Sequence, residues 1–494
     1  MNLAENLERS SRFHARSAAL SLGEQVVSYR ELGRQSRSVA GFLMAKGVRA
    51  GERVALMLPN VLEFAPLYYG ILRVGAIVVP MSPHLTEREV DLCLQDSGAR
   101  MLFTWEPGTA AREPAGGDVE HVVVAPGGLG SLLGDPPRPE RIVRRDPADT
   151  AAILYTSGTT DRPRGVELTH DSLVQNVDIM AQEIVELAPT DVVFGALPLF
   201  HSFGQTAALN AAVRAGACLA LLPQFDATEA LTTLQRHGVT VLPAVPTMYV
   251  GLLNHPDRAE VDTSRLRVCL SGGSALPVEV LLGFERAFDC VVLEGYGLSE
   301  TSPVATCNEP GRRRVGSIGS PLRGVELRIV DEHGHPVTDG EVGEIAIRGH
   351  NVMKGYWKRP EATAAAVPDG WLRTGDIGRR DEDGFFYLVD RKNELITRAG
   401  CTVYPRDIEE VLYEHPAVLE AAVIGTPDPN TGEEIVALVT LRPGESTGGD
   451  ELRAYLKSRV ATGTHPRHVE IVPALPKTST GKILKREITF EKTT

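Results

Sequence analysis

Short apolar runs alternate with amphipathic segments from Gly51 to about residue 310. This alternation is typical of strand–helix–strand units, in which strands pair in parallel and helices pack over the sheet. The sequence therefore predicts an α/β fold with parallel-rich sheets flanked by helices. The predicted strands are Arg53–Met57, Ala76–Pro80, Val122–Ala125, Asp191–Ala196, Cys218–Leu222, Val239–Ala244, Leu266–Leu270 and Cys290–Leu293. The predicted helices include Ser172–Leu187, with Ser172 and Gln175 as a capping box, and Ala227–His237.

The pattern changes after about residue 310 and again near residue 390. Between these points, Val325–Val330 and Glu344–Arg348 predict strands of a β-rich subdomain, and Asp383-Gly384 predicts a hairpin turn. The last hundred or so residues predict a small α+β domain. Its predicted elements are a helix that begins at Pro405, strands at Val418–Ile424, Ile435–Leu441 and Val469–Val472, and a helix at Glu451–Val460. At 494 residues, the chain is too long for one ordinary domain.

Composition narrows the range of functions. A formal net charge of −13, with no basic stripe to offset it, argues against a nucleic-acid partner. The six cysteines form no Cys-x-x-Cys pair and no Cys/His cluster, so neither a disulfide framework nor a zinc site is predicted. This usage is typical of a reducing compartment. Because the sequence shows neither a signal peptide nor a long apolar segment, we predict a cytoplasmic protein without a transmembrane segment.

Three glycine-bearing turns each follow an apolar run. They are Tyr155-Thr156-Ser157-Gly158, Leu270-Ser271-Gly272-Gly273-Ser274 and Leu293-Glu294-Gly295-Tyr296-Gly297. Ligands of α/β proteins bind at the carboxyl ends of strands, so these turns could converge on one ligand. Gly272 and Gly273 would let a flat ring lie against bare backbone, with Tyr296 stacked on its other face. Each turn alone could equally be an ordinary tight turn, but together they indicate a nucleotide.

The segment Thr156–Gly165 is suited to phosphate oxygens. Four of its first five residues carry hydroxyls, and its glycines and proline let the backbone turn sharply. Hydroxyls and exposed backbone N–H groups bind phosphate, although no Gly-Lys-Ser/Thr closes the segment as in a Walker loop. A polar surface turn is the alternative interpretation.

Four single residues could contribute to chemistry. Glu300, beside hydroxyls, is a candidate Mg²⁺ ligand, and Asp376, after a glycine, could accept hydrogen bonds from ribose or form an Asx turn. Lys482 could neutralise a transition-state phosphate or be a solvated tail lysine. His201 stands among apolar residues, where a packed core histidine is more common than a catalyst.

Together these segments resemble the adenylate-forming superfamily of acyl-CoA synthetases, firefly luciferases and peptide-synthetase adenylation domains. The resemblance covers nearly the whole chain, with its motifs in the family's order. The motifs are Tyr155-Thr156-Ser157-Gly158-Thr159-Thr160, Pro198-Leu199-Phe200-His201, Ser271-Gly272-Gly273, Gly295-Tyr296-Gly297-Leu298-Ser299-Glu300-Thr301, Thr374-Gly375-Asp376, Asp390-Arg391-Lys392 and Pro476-Lys477-Thr478-Ser479-Thr480-Gly481-Lys482. Segments 245–249, 294–303 and 351–357 look most like bacterial fatty acyl-CoA ligases.

The resemblance implies a two-step reaction. ATP activates a carboxylic acid, expected to be a fatty acid, to acyl-AMP and pyrophosphate, and the acyl group then passes to the thiol of CoA. ATP, Mg²⁺ and CoA are the implied cofactors. The resemblance implies that the β- and γ-phosphates are bound by Thr156, Ser157, Gly158, Thr159 and Thr160. It implies that adenine is bound by Gly272, Gly273 and Tyr296, that ribose is bound by Asp376 and Arg391, and that further nucleotide contacts come from Ser274, Glu294, Gly295, Gly297 and Ser299. It also implies that Glu300 binds Mg²⁺, that His201 lines the acyl pocket and that Gly400 lines the pantetheine tunnel. Lys482 would bridge the attacking carboxylate and the α-phosphate, and it is grouped with Thr156, His201 and Glu300 as catalytic.

The resemblance also implies a division into a large domain at 1–391, a hinge at 392–394 and a mobile lid domain at 395–494. The lid would rotate between the two steps, so that Lys482 and Gly400 reach one site in turn. Asn393 occupies the hinge position, where Asp or Lys is more usual.

Three positions depart from the family pattern. Asp161 replaces a glycine, Arg164 replaces a lysine, and Gly463-Thr464 replaces Tyr-Lys. The last change leaves open an alternative acceptor, the phosphopantetheine of an acyl carrier protein. Asp161 alone would support a non-catalytic homologue, against which the retained Lys482 argues.

Overall fold

The computed structural model describes residues 1–106, 119–134, 138–156, 164–460, 464–478 and 481–490. Within these ranges, the strands are β1 (Ala18–Leu22), β2 (Gln25–Ser28), β3 (Arg53–Met57), β4 (Ile77–Pro80), β5 (Met101–Trp105), β6 (Glu120–Val124), β7 (Thr150–Thr156), β8 (Arg164–Thr169), β9 (Val192–Gly195), β10 (Cys218–Leu221), β11 (Val241–Ala244), β12 (Val268–Ser271), β13 (Val291–Gly297), β14 (Val304–Cys307), β15 (Ser320–Pro321), β16 (Val325–Val330), β17 (Gly343–Gly349), β18 (Gly355–Tyr356), β19 (Leu372–Arg380), β20 (Phe386–Arg391), β21 (Ile396–Arg398), β22 (Cys401–Val403), β23 (Val418–Asp428), β24 (Gly432–Leu441) and β25 (His468–Ile471).

The α-helices of the described residues are α1 (Glu5–Phe13), α2 (Tyr29–Ala45), α3 (Phe64–Arg73), α4 (Glu87–Ser97), α5 (Leu129–Leu133), α6 (His170–Ile179), α7 (Ala211–Ala215), α8 (Ala227–His237), α9 (Pro246–Leu253), α10 (Val278–Phe288), α11 (Pro360–Ala366), α12 (Pro405–Tyr413) and α13 (Gly449–Lys457). Two π-helical segments, Met180–Ile184 and Gly204–Asn210, extend α6 and precede α7. Among these ranges, no helix is long and apolar enough to cross a membrane, and the cytoplasmic location stays a prediction.

Two large sheets carry most of the chain. In the part that the structure describes, one has nine strands in the order β15-β14-β13-β12-β11-β9-β10-β1-β2, and the other has seven in the order β18-β8-β7-β4-β3-β5-β6. Their central strands are parallel, whereas the edges formed by β2, β14, β15, β8 and β18 are antiparallel. The predicted α/β fold with parallel-rich sheets is confirmed.

All eight predicted strands of this region overlap a real strand, because a strand buried on both faces is a continuous apolar run. The helix predicted at Ser172–Leu187 needs correction. It begins two residues earlier, and its cap is Thr169, with Ser172 as the third helical residue of the capping box. Gln175 is not part of the cap; it donates to the Asp171 carboxylate at 2.6 Å.

A third sheet, β16-β17-β19-β20, is antiparallel and forms the predicted β-rich subdomain. Asp383 and Gly384 lie in the turn between β19 and β20, as predicted, with Gly384 at φ +86°. In the register of this hairpin, Asp376 pairs with Arg391. The third sheet thus places two of the predicted site residues, Asp376 and Arg391, next to each other.

The last hundred or so residues form a separate sheet, β22-β21-β24-β23, with β25 parallel to β24. The hydrophobic clusters of this sheet include no described residue before Ile396. The helix α12 begins at Pro405, as predicted, and α13 begins and ends slightly before its predicted bounds. The predicted hinge at 392–394 lies between β20 and β21, and the division into two domains remains a prediction.

One buried amide ties the two large sheets together. The Asn60 side chain, which follows β3, donates to Gly195 O at 2.8 Å and to Leu197 O at 2.9 Å, and its oxygen accepts from Leu199 N at 2.9 Å. Asn60 is 2% exposed, so water cannot replace these bonds. Asn60 therefore fixes the backbone of the segment that leads from β9 to His201.

We expect Asn60→Ala to lower the free energy of unfolding by about 2–4 kcal/mol, because buried backbone groups lose their partner. Calorimetric or circular-dichroism melting would measure the change. Asn254→Ala is the matched control, since the Asn254 side chain makes one bond, to Val250 O within its own helix end. Equal destabilisation by the two variants would contradict this interpretation of Asn60.

Candidate functional site

Two adjoining cavities open where β7, β12 and β13 end. The first has a volume of about 180 Å³ and the second about 240 Å³. Six residues line both: Gly273, Gly295, Tyr296, Gly297, Arg391 and Lys482. These residues come from the turn after β12, from β13, from β20 and from the C-terminal segment, so the cavities share a wall built from distant parts of the chain; we call these six residues the shared wall. This location, at the carboxyl ends of parallel strands, is where α/β proteins bind ligands.

The shared wall is organised by the carboxylate of Asp376. Asp376 is 4% exposed; the Tyr296 hydroxyl donates to it at 2.6 Å, and the Arg391 Nε lies 3.4 Å from its other oxygen. Burial raises the pKa of Asp376, while Arg391 and Tyr296 act in the opposite direction. The result is a fixed hydrogen-bond acceptor beside the first cavity, which suits a ligand hydroxyl.

Glycine is required at the end of β13. A Cβ on Gly297 would lie 1.8 Å from Pro303 O, so any side chain there would displace the backbone. Gly273, after β12, has φ +86°, a conformation that side chains disfavour. These positions leave bare backbone on the wall that the cavities share.

Glu294 lines the first cavity and carries an unused acceptor. Its side chain is 5% exposed, and its Oε2 has no hydrogen-bond partner among the described residues. Burial raises the pKa of Glu294 to about 7, with Arg406 lowering it and Glu410 raising it. An amino group of a ligand in the first cavity could satisfy this oxygen.

Glu300 lies in a short 3₁₀ helix, Ser299–Thr301, and lines the second cavity. The Tyr356 hydroxyl donates to Glu300 Oε1 at 3.0 Å, and the Arg164 guanidinium lies 5.6 Å from the centre of the Tyr356 ring. Tyr356 therefore links the carboxylate to β8, the strand that follows the hydroxyl-rich segment. A half-buried carboxylate fixed in this way fits Mg²⁺, which proteins bind through one or two carboxylates together with substrate phosphates.

The second cavity is largely apolar away from the shared wall. Its uncharged lining includes Met180, Leu197, Phe203, Val245, Leu270, Leu298 and Val304. His201 also lines it, and its Nδ1 accepts from Phe203 N at 3.3 Å. Burial lowers the pKa of His201 to about 4, so its imidazole is neutral near pH 7.

Lys482 reaches the shared wall from a hairpin near the C-terminus. The preceding residue anchors it, since the Thr247 hydroxyl in α9 donates to Gly481 O at 3.0 Å. Burial, and then the charge of Arg391, lower the pKa of Lys482 to about 8, against the influence of Glu394 and Asp376. Lys482 thus places an ammonium where the two cavities meet, beside Arg391, which faces Asp376.

The structure brings most of the predicted site residues together, with some exceptions. Thr156 and Ser299 line the second cavity, and Ser274 and Glu294 line the first. Gly400 lines neither cavity; it sits at φ +80° in the turn between β21 and β22. The residues Ser157, Gly158, Thr159, Thr160, Asp161 and Gly463 lie outside the described residues.

Several lining residues escaped the sequence analysis. Arg406, Glu409 and Glu410 of α12, together with Lys485, line the first cavity. Little in the sequence indicated that these residues line a cavity, because charged residues on a helix face are usually solvated. Tyr356 belonged to a family-like segment, but the sequence could not show that its hydroxyl faces Glu300.

Comparison with known proteins agrees with this geometry. The family described as AMP-binding enzyme matches residues 7–357, and the AMP-binding enzyme C-terminal domain matches residues 407–482. The chain belongs to the AMP-binding enzyme family. Membership confirms the predicted superfamily and the assignment as an acid–thiol ligase that works through an acyl-adenylate.

Relatives within the AMP-binding enzymes differ in their acids. A long-chain-fatty-acid–CoA ligase of Bacillus subtilis is 36% identical over 530 residues, covering 98% of this chain and 93% of the relative. A feruloyl-CoA synthase of Amycolatopsis sp is 36% identical over 485 residues, covering 97% of each. The crystal structure of the anthranilate CoA ligase AuaEII with anthranoyl-AMP has a TM-score of 0.92 at 29% identity, covering 98% of this chain and 96% of that chain.

We expect Tyr356→Phe to weaken MgATP binding about tenfold, because a charge-assisted hydrogen bond to Glu300 is lost. Titration calorimetry of the nucleotide at fixed Mg²⁺ would measure the dissociation constant directly. Tyr387→Phe is the matched control: its hydroxyl donates to Asp381, also at 3.0 Å, and neither residue lines either of the two described cavities. If both variants bound MgATP equally well, Tyr356 would have no role in holding Glu300.

The adenylating half-reaction should depend on pH through Lys482. The ammonium is present below its pKa of about 8 and is lost as pH rises, so kcat/KM for ATP–pyrophosphate exchange should fall above pH 8. Lys482→Arg keeps its charge to above about pH 12 and should remove this alkaline limb. A wild-type profile that stays flat to about pH 10, near the ordinary lysine pKa, would contradict the expectation.

Proposed function

We propose that the protein uses ATP to activate a monocarboxylic acid whose acyl part is apolar and uncharged, in the first place a fatty acid, and transfers the acyl group to CoA. The lining of the second cavity carries this proposal. Among the described residues, its charged members are Glu300, Arg391 and Lys482, of which the last two belong to the shared wall. In the apolar part of the cavity, away from these three residues, a second carboxylate or an ammonium on the acid would be buried without a counter-charge, at a high cost in free energy. The acids named for relatives include fatty and aromatic acids, and also sulfoacetate, so the lining of the cavity rather than the family carries the choice.

ATP would occupy the first cavity and the shared wall, and it would extend to the end of the second cavity that Thr156, Gly272 and Glu300 line. Adenine would lie between the Gly272-Gly273 backbone and Tyr296, and the ribose hydroxyls would donate to Asp376. Thr156 and the segment after it would hold the β- and γ-phosphates. Glu300 would hold Mg²⁺, which would neutralise phosphate charge.

In the first half-reaction, a carboxylate oxygen of the acid forms a bond to the α-phosphorus, and the bond to the pyrophosphate oxygen breaks. This chemistry demands positioning and charge neutralisation more than proton transfer. Lys482 stands where both anions would meet, so its ammonium can bridge them. His201 is neutral and can border the acid without attracting it by charge.

In the second half-reaction, the thiol sulfur of CoA bonds to the acyl carbon, and AMP leaves with the electron pair of the broken C–O bond. Gly400 lies away from both cavities in this arrangement. We propose that a rotation at 392–394 brings Gly400 to the site for this step and withdraws Lys482, a hinge-type change. Lys482 would then act in the first half-reaction alone.

A substrate screen tests this function. Pyrophosphate release is measured over short, medium and long fatty acids, aryl acids, dicarboxylic acids and amino acids, with thioester formation followed separately on free CoA and on a holo-carrier protein. We expect turnover with fatty or aryl acids and with CoA. Preferential turnover of a dicarboxylic or amino acid would overturn the assignment of the acyl cavity, and transfer to the carrier protein alone would overturn that of the acceptor.

A further inference from the structure

Hydrogen bonds join the described arms of the hairpin that carries Lys482. Its arms lie in 476–484, where Lys477 pairs with Ile483. Thr478 N donates to Lys482 O at 2.8 Å, and Lys482 N donates to the Thr478 hydroxyl at 3.0 Å. The position of the Lys482 backbone is therefore set by whatever holds the hairpin.

The second arm is held by a buried ion pair. Lys485, three residues after Lys482, lies 2.7 Å from Glu409 Oε1 in α12, and the two side chains are only 16% and 14% exposed. The same Glu409 oxygen accepts from Val423 N of β23 at 2.7 Å. The carboxylate is thus fixed from two sides, and Lys485 fastens the hairpin to both α12 and β23.

Two further ion pairs near the hairpin are weaker. Lys477 on the first arm lies 2.7 Å from Glu420, but its side chain is 37% exposed and the pair is screened by solvent. Glu394 lies 3.4 Å from Lys485, beyond the usual distance of a strong charge-assisted bond. The Lys485–Glu409 pair is the most buried anchor among these contacts.

The charge of Lys485 also acts on Lys482. The groups that face Lys482 are Arg391, Glu394, Asp376 and Lys485. Of these, the two cations lower the pKa of Lys482, and the two carboxylates raise it. Loss of the positive charge at position 485 would therefore raise the pKa of Lys482, an effect that loss of packing alone would not produce.

We propose that Lys485, held by Glu409, is a positioning residue for acyl-adenylate formation, fixing the hairpin so that the Lys482 ammonium stands where the two cavities meet. The inference rests on the proposed function, because it requires Lys482 to act in the first half-reaction. A displacement of about 1 Å in a positioned catalytic group can cost about a hundredfold in rate. Loss of the Lys485–Glu409 pair should therefore slow adenylation and leave thioester formation from supplied acyl-AMP unchanged.

The test separates the two half-reactions in the full-length enzyme. Lys485→Met should lower acid-dependent ATP–pyrophosphate exchange at least about tenfold and leave thioester formation from supplied acyl-AMP and CoA near the wild-type rate. It should also shift the alkaline limb of the exchange reaction to higher pH. Lys485→Arg should restore both, since it keeps the charge, and Glu409→Gln should reproduce the rate effect in milder form if Lys485→Met does not fold.

Arg214→Met is the control for a merely structural loss. Arg214 pairs with Asp178 at 2.5 Å, and its side chain is 13% exposed, about as little as that of Lys485, yet it lines neither cavity. Two results would overturn the proposal. In the first, Lys485→Met slows both half-reactions equally and in proportion to its loss of thermal stability, as Arg214→Met does. In the second, Lys485→Met leaves the rate of ATP–pyrophosphate exchange unchanged. Lys482→Ala reports on the proposed function separately: if it slows both half-reactions equally, the role of Lys482 fails, whatever Lys485 does.

Discussion

A buried hydrogen bond from Tyr296 to Asp376 joins the nine-stranded sheet to the antiparallel β-rich sheet. Both groups are almost inaccessible to water, so removing either would leave a polar atom unpaired in a medium of low dielectric constant. The same carboxylate faces Arg391, the last residue before the turn that leads into the C-terminal sheet. Asp376 therefore contacts one residue of each of two strands, Tyr296 of β13 and Arg391 at the end of β20.

Much of the fold could be predicted from sequence because its central strands are parallel and buried. Such strands are continuous apolar runs, and the turns after them must carry glycine where the backbone approaches a ligand. Gly273 and Gly297 are examples, one through its positive φ and the other through the carbonyl it would strike. Conversely, the alternation predicts a helix between the strands at Arg53–Met57 and Ala76–Pro80, but it does not give the bounds of α3. All residues of α3 are buried, so no polar face marks a helical period.

The parts of the site that escaped prediction are contacts between distant segments. Tyr356 and Glu300 are 56 residues apart, and Lys485 and Glu409 belong to a terminal hairpin and a helix. Nothing in local periodicity distinguishes a charged residue that will be buried against a partner from one that stays in water. Only the packing of α12 and β23 against the hairpin makes that distinction, and sequence pattern does not contain it.

The wall that the two cavities share has a thermodynamic consequence. Two anionic ligands on either side of Lys482 would each favour its protonated form, which its buried surroundings disfavour. Above a pH of about 8, where part of Lys482 is neutral, the first anion to bind would therefore shift it towards its protonated form, which the second anion also favours. Such coupling is reciprocal, so acid and nucleotide would strengthen each other's binding by the same factor, and uptake of one proton would accompany the first of them at alkaline pH.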